Sequence, residues 1–133
     1  MTLFEKIRTW NEERGLPNLP FDHQKQVSFI IEELLESTGN HDSISAREKA
    51  EEISHEITKD AKFDPETVID AFGDIIVFSV GVMLNLGYNP DQVMDEIYKE
   101  INSRTGKIID GKFVKNVDVE RYYADFSICK TNQ

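Results

Sequence analysis

Apolar residues recur three and four positions apart along most of the first hundred residues, and start and stop signals divide that pattern into about five helical segments. Leu3, Phe4, Ile7 and Trp10 share one face behind Thr2, a residue suited to capping, and Gly15 marks the stop. Gly15 to Asp22, with Pro17 and Pro20, predicts a loop. A second helix is expected from Asp22 or His23 to about Ser37, ended by Thr38-Gly39-Asn40. Ser45-Ala46-Arg47-Glu48 has the form of a capping box and predicts a third helix running to about Lys59. Asp64-Pro65-Glu66 offers a cap, a proline for the first turn and an acidic start for a long fourth helix to Leu86, with Gly87 behind it. Asn89-Pro90-Asp91 repeats that signal for a fifth helix, which ends between Arg104 and Gly106. From Lys107 the period breaks, and Lys-Ile-Ile-Asp-Gly-Lys-Phe-Val predicts a short hairpin or extended arm around Asp110-Gly111. With no repeat, linker or low-complexity tract, the expectation is one all-α domain over residues 1–133. Helices two to five form its core, and a short extended arm follows at the C-terminal end.

The fourth segment carries the most information. Val68, Ile69, Phe72, Ile75 to Phe78, Val80, Val82, Met83, Leu84 and Leu86 cover nearly its whole circumference, and a helix apolar all round is expected to be buried. Asp70 and Asp74 nevertheless lie one turn apart on a narrow strip shared with Gly81, and no Lys, Arg or His occurs from Phe63 to Tyr98. Buried carboxylates need a partner, because a desolvated lone charge is costly. The second helix offers a matching set. Glu32, Glu33 and Glu36 fall within about 100° of one another on a helical wheel, with Val27, Ile30, Ile31, Leu34 and Leu35 on the other side. Such a set alone is also what a solvated amphipathic face looks like. Carboxylates converging from two helices make a hard-cation site suited to Mg2+ or Mn2+.

Composition narrows the classes. Hydrophobic residues at 39% and charged residues at 30% describe a globular chain, and the lone Cys129 cannot form an internal disulfide. No secretory leader pattern opens the chain, and the longest apolar stretch, Ile75 to Leu86, is too short and too interrupted to span a bilayer, so a cytoplasmic location is expected. The net charge of -10 argues against a nucleic-acid duplex or an anionic membrane as main partner. Its distribution is uneven: residues 1–98 hold 8 basic against 20 acidic side chains, and residues 99–133 hold 7 against 5. An acidic body with a mildly basic tail can hold a cation in one place and an anion close by. So apolar a fourth helix has more surface than a small monomer covers, which predicts a homodimer or homotetramer joined through it or through the corner after it.

Glu32-Glu33-Leu34-Leu35-Glu36, followed after an acidic helix by Asp70-Ala71-Phe72-Gly73-Asp74, resembles the all-alpha NTP pyrophosphohydrolase superfamily. That superfamily includes MazG-type enzymes, dimeric dUTPases and phosphoribosyl-ATP pyrophosphohydrolases. Its pattern is E-x-x-E on one helix and E-x-x-D on another. Glu33 and Glu36 match the first half and Asp74 the final position. Ala71 stands where the remaining Glu belongs and Asp70 lies one position earlier, a D-x-x-x-D form that resembles the phosphoribosyl-ATP-pyrophosphohydrolase-like branch. Gly81, Leu86-Gly87 and Glu100-Ile101-Asn102-Ser103-Arg104 also fit that branch, so the resemblance spans about Asp22 to Lys107. It implies Mg2+-dependent hydrolysis of a nucleoside triphosphate to the monophosphate and pyrophosphate. The implied metal ligands are Glu33, Glu36, Asp70 and Asp74. Glu32 or Glu33 would serve as the base, and Asn102, Arg104 and Lys107 would grip the phosphates. Two other readings remain: a member that binds nucleotide without hydrolysing it, and a helical interaction module.

Other features are weaker. Glu52-Ile53-Ser54-His55 is an E-x-x-H, but a di-iron bundle needs two such motifs and this chain has one, so His55 reads as a surface residue. Trp10, with Phe4 and Tyr88, is able to stack on a base, although an amphipathic first helix also buries its Trp in the core. His23 is placed either to cap the second helix or to touch a nucleobase.

Overall fold

The computed structural model of the chain describes residues 1–117 and 120–131. Its five helices are α1 (Leu3–Glu13), α2 (His23–Ser37), α3 (Ser43–Thr58), α4 (Pro65–Asn85) and α5 (Pro90–Ser103). Two strands follow, β1 (Gly106–Ile109) and β2 (Lys112–Lys115), and short 3-10 turns lie at Leu16–Asn18 and Phe126–Cys129. The chain is mostly helical with a small antiparallel sheet, and it divides into two compact units: Pro20–Pro65, and Met1–Leu19 with Glu66–Gln133.

The local signals act as their chemistry dictates. Thr2 and Glu5 form a reciprocal capping box, with Glu5 N–H donating to Thr2 Oγ1 at 3.2 Å and Thr2 N–H to Glu5 Oε2 at 2.9 Å. Asp22 caps α2 through Lys25 N–H at 3.0 Å, and Asn89 caps α5 through Gln92 N–H at 3.1 Å. At the end of α4, Gly87 takes φ 84°, while its own N–H and that of Tyr88 bond back to the Leu84 and Met83 carbonyls. That is a Schellman motif, which glycine adopts without steric cost. Positive φ at Asp110 (50°) and Gly111 (76°) makes the two-residue turn between β1 and β2, whose register pairs Lys107 with Val114. One start moves. α3 begins at Ser43, two residues before the expected Ser45, because Asp42 accepts the Ser45 N–H at 2.8 Å and is itself the cap.

In the unit Pro20–Pro65, α2 and α3 pack side by side. Ala46, Ala50 and Ser54 form a fully buried row along α3, and Ser28 and Glu32 are the buried residues of α2. Small side chains one turn apart let the two backbones approach closely. In the other unit, α1 lies on α5. Trp10 donates its indole N–H to the Ile101 carbonyl at 3.1 Å, meets Phe113 edge-on at 5.7 Å, and carries the Arg14 guanidinium 4.3 Å above its face. Trp10 is thus a packing residue. The segment after the hairpin docks on α5, burying Cys129, and Asn89 and Gly87 exchange backbone bonds with Cys129 and Thr131.

The fourth helix departs from expectation. None of its 21 residues is buried, and within its own unit it packs against no other helix among the described residues. Taken whole it is also long and apolar enough to cross a membrane by length and composition, a property hidden by counting only the run Ile75–Leu86.

Candidate functional site

The α2 carboxylates do not share one environment. A wheel drawn from sequence places Glu32, Glu33 and Glu36 opposite the aliphatic residues. The side of α2 that meets α3, however, is centred on Ser28 and Glu32, leaving Leu34 exposed. Glu32 is only 9% exposed, and Arg47, in the second turn of α3, donates Nε–H to its Oε1 at 3.2 Å. Glu36 is half-buried beside it and Glu33 is exposed farther round the helix. Of the two candidate bases, Glu33 is therefore the one open to solvent. Glu32 is held at a helix–helix contact, an arrangement created by a residue fifteen positions away.

Asp70 and Asp74 lie on α4 in the other unit, about 40° apart on the helix, and both are exposed. Within that unit no helix packs on α4 among the described residues, so neither carboxylate is desolvated there. Their donor chemistry, like that of Glu33 and Glu36, is hard oxygen at one-turn spacing and fits Mg2+. Among the described residues, no group of three or more His, Cys, Asp or Glu side chains is arranged to hold a metal ion.

Asn102, Arg104 and Lys107 follow one another at the end of α5 and the start of β1. Asn102 and Lys107 are exposed, whereas Arg104 is half-buried, ends α5 as its C-terminal cap, and pairs through Nη2 with Glu100 Oε2 at 3.2 Å. Its Nε is buried with no hydrogen-bond partner among the described residues. Arg104 thus has one nitrogen committed to the fold and another without a use in it.

The best-connected acidic residue is one that helical periodicity did not single out. Glu96 is 2% exposed; its Oε1 accepts from the Tyr122 hydroxyl and from Asp125 N–H at 2.9 Å, and its Oε2 from Lys99 Nζ at 3.2 Å. These donors, the Tyr122 hydroxyl first, hold its carboxyl below the usual range, and the same contact raises the Tyr122 phenol. One turn on, Glu100 Oε1 accepts Ala124 N–H at 3.1 Å, and Ser103 Oγ accepts Tyr122 N–H at 2.9 Å. Three α5 side chains thereby hold the backbone of residues 122–125. The available signal was the place of Glu96 and Glu100 on the edge of the Val93, Ile97, Ile101 face.

The remaining candidates fall outside this chemistry. His55 is exposed in the last turn of α3, His23 lies 5.6 Å from the Phe21 ring, and Tyr88 bridges to Lys130. Phe4 is exposed. Compared with protein-family models, with curated proteins and with solved structures, the chain matches none of them.

Proposed function

We propose that this chain is a nucleotide pyrophosphohydrolase in which water cleaves a nucleoside triphosphate to the monophosphate and pyrophosphate with Mg2+ or Mn2+ as cofactor. The observation that carries the reading is the pair of carboxylate sets, Glu33 with Glu36 on α2 and Asp70 with Asp74 on α4, each one turn apart on a well-formed helix. Those four residues are the proposed ligands. When bound, the metal supplies neutralisation of the phosphate charge and acidification of a water. Glu33, exposed and one turn from Glu36, also accepts the proton of the attacking water. Glu32, held by Arg47, fixes how α2 lies on α3 and so where Glu33 and Glu36 point. Asn102, Arg104 and Lys107 bind the phosphates by charge-assisted hydrogen bonds. A second reading, an interaction module that uses α4 without turnover, is favoured by the exposed apolar surface of that helix.

Two readouts separate these readings. Mg2+ bound only by the native state stabilises it by about 2.7 kcal/mol at a hundredfold excess over Kd, so the wild type melts higher in Mg2+ than in EDTA. A panel of nucleoside triphosphates is hydrolysed only with metal. Asp74→Asn keeps the side-chain shape, abolishes turnover and shrinks the metal-dependent shift. Turnover near the wild-type rate in Asp74→Asn would refute the carboxylate set. A wild type with no metal shift and no turnover leaves the interaction module as the better reading.

A further inference from the structure

Within the unit that holds α1 and α5, residues 120–131 are tied down mainly by polar contacts. At one end, Glu96, Glu100 and Ser103 of α5 accept the Tyr122 hydroxyl and the N–H groups of Tyr122, Ala124 and Asp125. At the other, Asn89 donates its N–H to the Cys129 carbonyl at 2.8 Å, and Thr131 donates its own to the Gly87 carbonyl at 2.9 Å. Cys129 is the one side chain of the segment that is buried; Tyr122, Tyr123, Phe126 and Ile128 are not. Burial of apolar surface, the main driving term of folding, therefore does little to hold this segment against α5.

Docking also strands two cationic nitrogens. Arg104 on α5 and Arg121 on the segment flank the bond from Tyr122 N–H to Ser103 Oγ. Arg104 Nε and Arg121 Nη1 are both buried with no hydrogen-bond partner among the described residues. A buried donor without an acceptor bears the full loss of its hydration, and Arg121 recovers only part of it by stacking 4.6 Å from the Tyr123 ring. Undocking returns both nitrogens to water. The latch carboxylate is not orphaned either, because Glu96 keeps Lys99 Nζ at 3.2 Å when the segment leaves. Few buried apolar contacts and a local desolvation cost place a segment at the low-stability end of a fold.

We infer that residues 120–131 are a strap that leaves α5 as a unit while the helices stay folded, with Glu96 as its latch. Glu100 passes the event to Arg104. Its Oε1 accepts Ala124 N–H at 3.1 Å, and its Oε2 pairs with Arg104 Nη2 at 3.2 Å, so the strap and that guanidinium share one support. The bearing of this on phosphate binding rests on the nucleotide reading above; the opening itself does not.

Cys129 reports the opening, because it is the only cysteine of the chain, belongs to the strap and is fully buried. Its alkylation by iodoacetamide is followed by mass at rising urea, in EDTA and without nucleotide, beside the circular dichroism of the helices. Labelling is expected to be far slower than in the unfolded chain. It should stay nearly flat over the urea range in which the helices are intact, since opening exposes little surface. Tyr122→Phe removes a hydrogen bond to a charged acceptor and should speed labelling about tenfold or more, with unchanged circular dichroism. Should that variant fail to fold, Ser103→Ala takes away only the acceptor of Tyr122 N–H and should speed labelling about threefold or more. Labelling that rises along the unfolding curve of the helices, labelling as fast as in the unfolded chain, or a folded variant that labels at the wild-type rate overturns the strap.

Discussion

Replacing Arg47 with Met deletes the guanidinium that holds Glu32 while keeping most of the stem that covers α2. The lost contact is Nε to Oε1 at 3.2 Å, between a Glu32 side chain 11% exposed and an Arg47 side chain 54% exposed. At an effective dielectric near 20, two unit charges about 4 Å apart attract by about 4 kcal/mol, a gross figure opposed by desolvation of the carboxylate and ordering of the arginine. Exposed pairs net about 0.2–1 kcal/mol, and hydrogen bonds to charged groups about 1.5–3. With one partner half in water, solvent screening brings the expected net value to about 1 kcal/mol. For a chain of this size that corresponds to a Tm lower by about 3–5 °C. The assay is a double-mutant cycle with Glu32→Gln, read by thermal melts followed by circular dichroism. Raising the ionic strength from about 0.1 to 1 M shortens the Debye length from about 10 to 3 Å and should reduce the coupling. The same variants divide structure from catalysis. If Glu32 positions α2, both single substitutions lower Tm and leave turnover within a few-fold. If Glu32 takes the proton itself, Glu32→Gln loses about 10² to 10⁴ in rate. A coupling below about 0.3 kcal/mol would falsify the structural role assigned to the pair.

Two further outcomes are expected. Ala50→Leu forces three extra heavy atoms into the fully buried row of α3 and should cost about 1–3 kcal/mol, seen as an earlier melt of the α2–α3 unit; an unchanged melt means the helices have slack there. Docking of residues 122–125 on α5 should follow pH in a definite sense. The Glu96 carboxyl is lowered from its ordinary 4.5, so its contribution is complete above about pH 4.5 and is lost as pH falls through the lower folded value. The Tyr122 phenol is raised from 10.0, so the hydroxyl's contribution is complete below about pH 10 and is lost as pH rises through the folded value. The Tm difference between wild type and Tyr122→Phe should therefore be flat near neutral pH and shrink at both extremes. A difference that grows on acidification would contradict the contact.

Element limits were legible wherever one side chain closes its own turn. Thr2 with Glu5, Asp22, Asn89 before Pro90, and Asp110-Gly111 each act within four residues, where spacing alone settles the geometry. Asp42 in place of Ser45 shows the limit of that rule, since both residues are fit to cap and Asp42 takes the Ser45 N–H. The pairing of Glu32 with Arg47, and of Glu96 with Tyr122 and Asp125, spans fifteen to twenty-nine residues, and no periodicity announces a contact of that separation. Tertiary packing therefore decided which of three neighbouring glutamates is buried and which remains open for chemistry. For α4, the sequence by itself determined the helix, its length and its acidic strip, because propensity and capping are local. Burial belongs to whatever lies across from the helix, and within its own unit no helix among the described residues does.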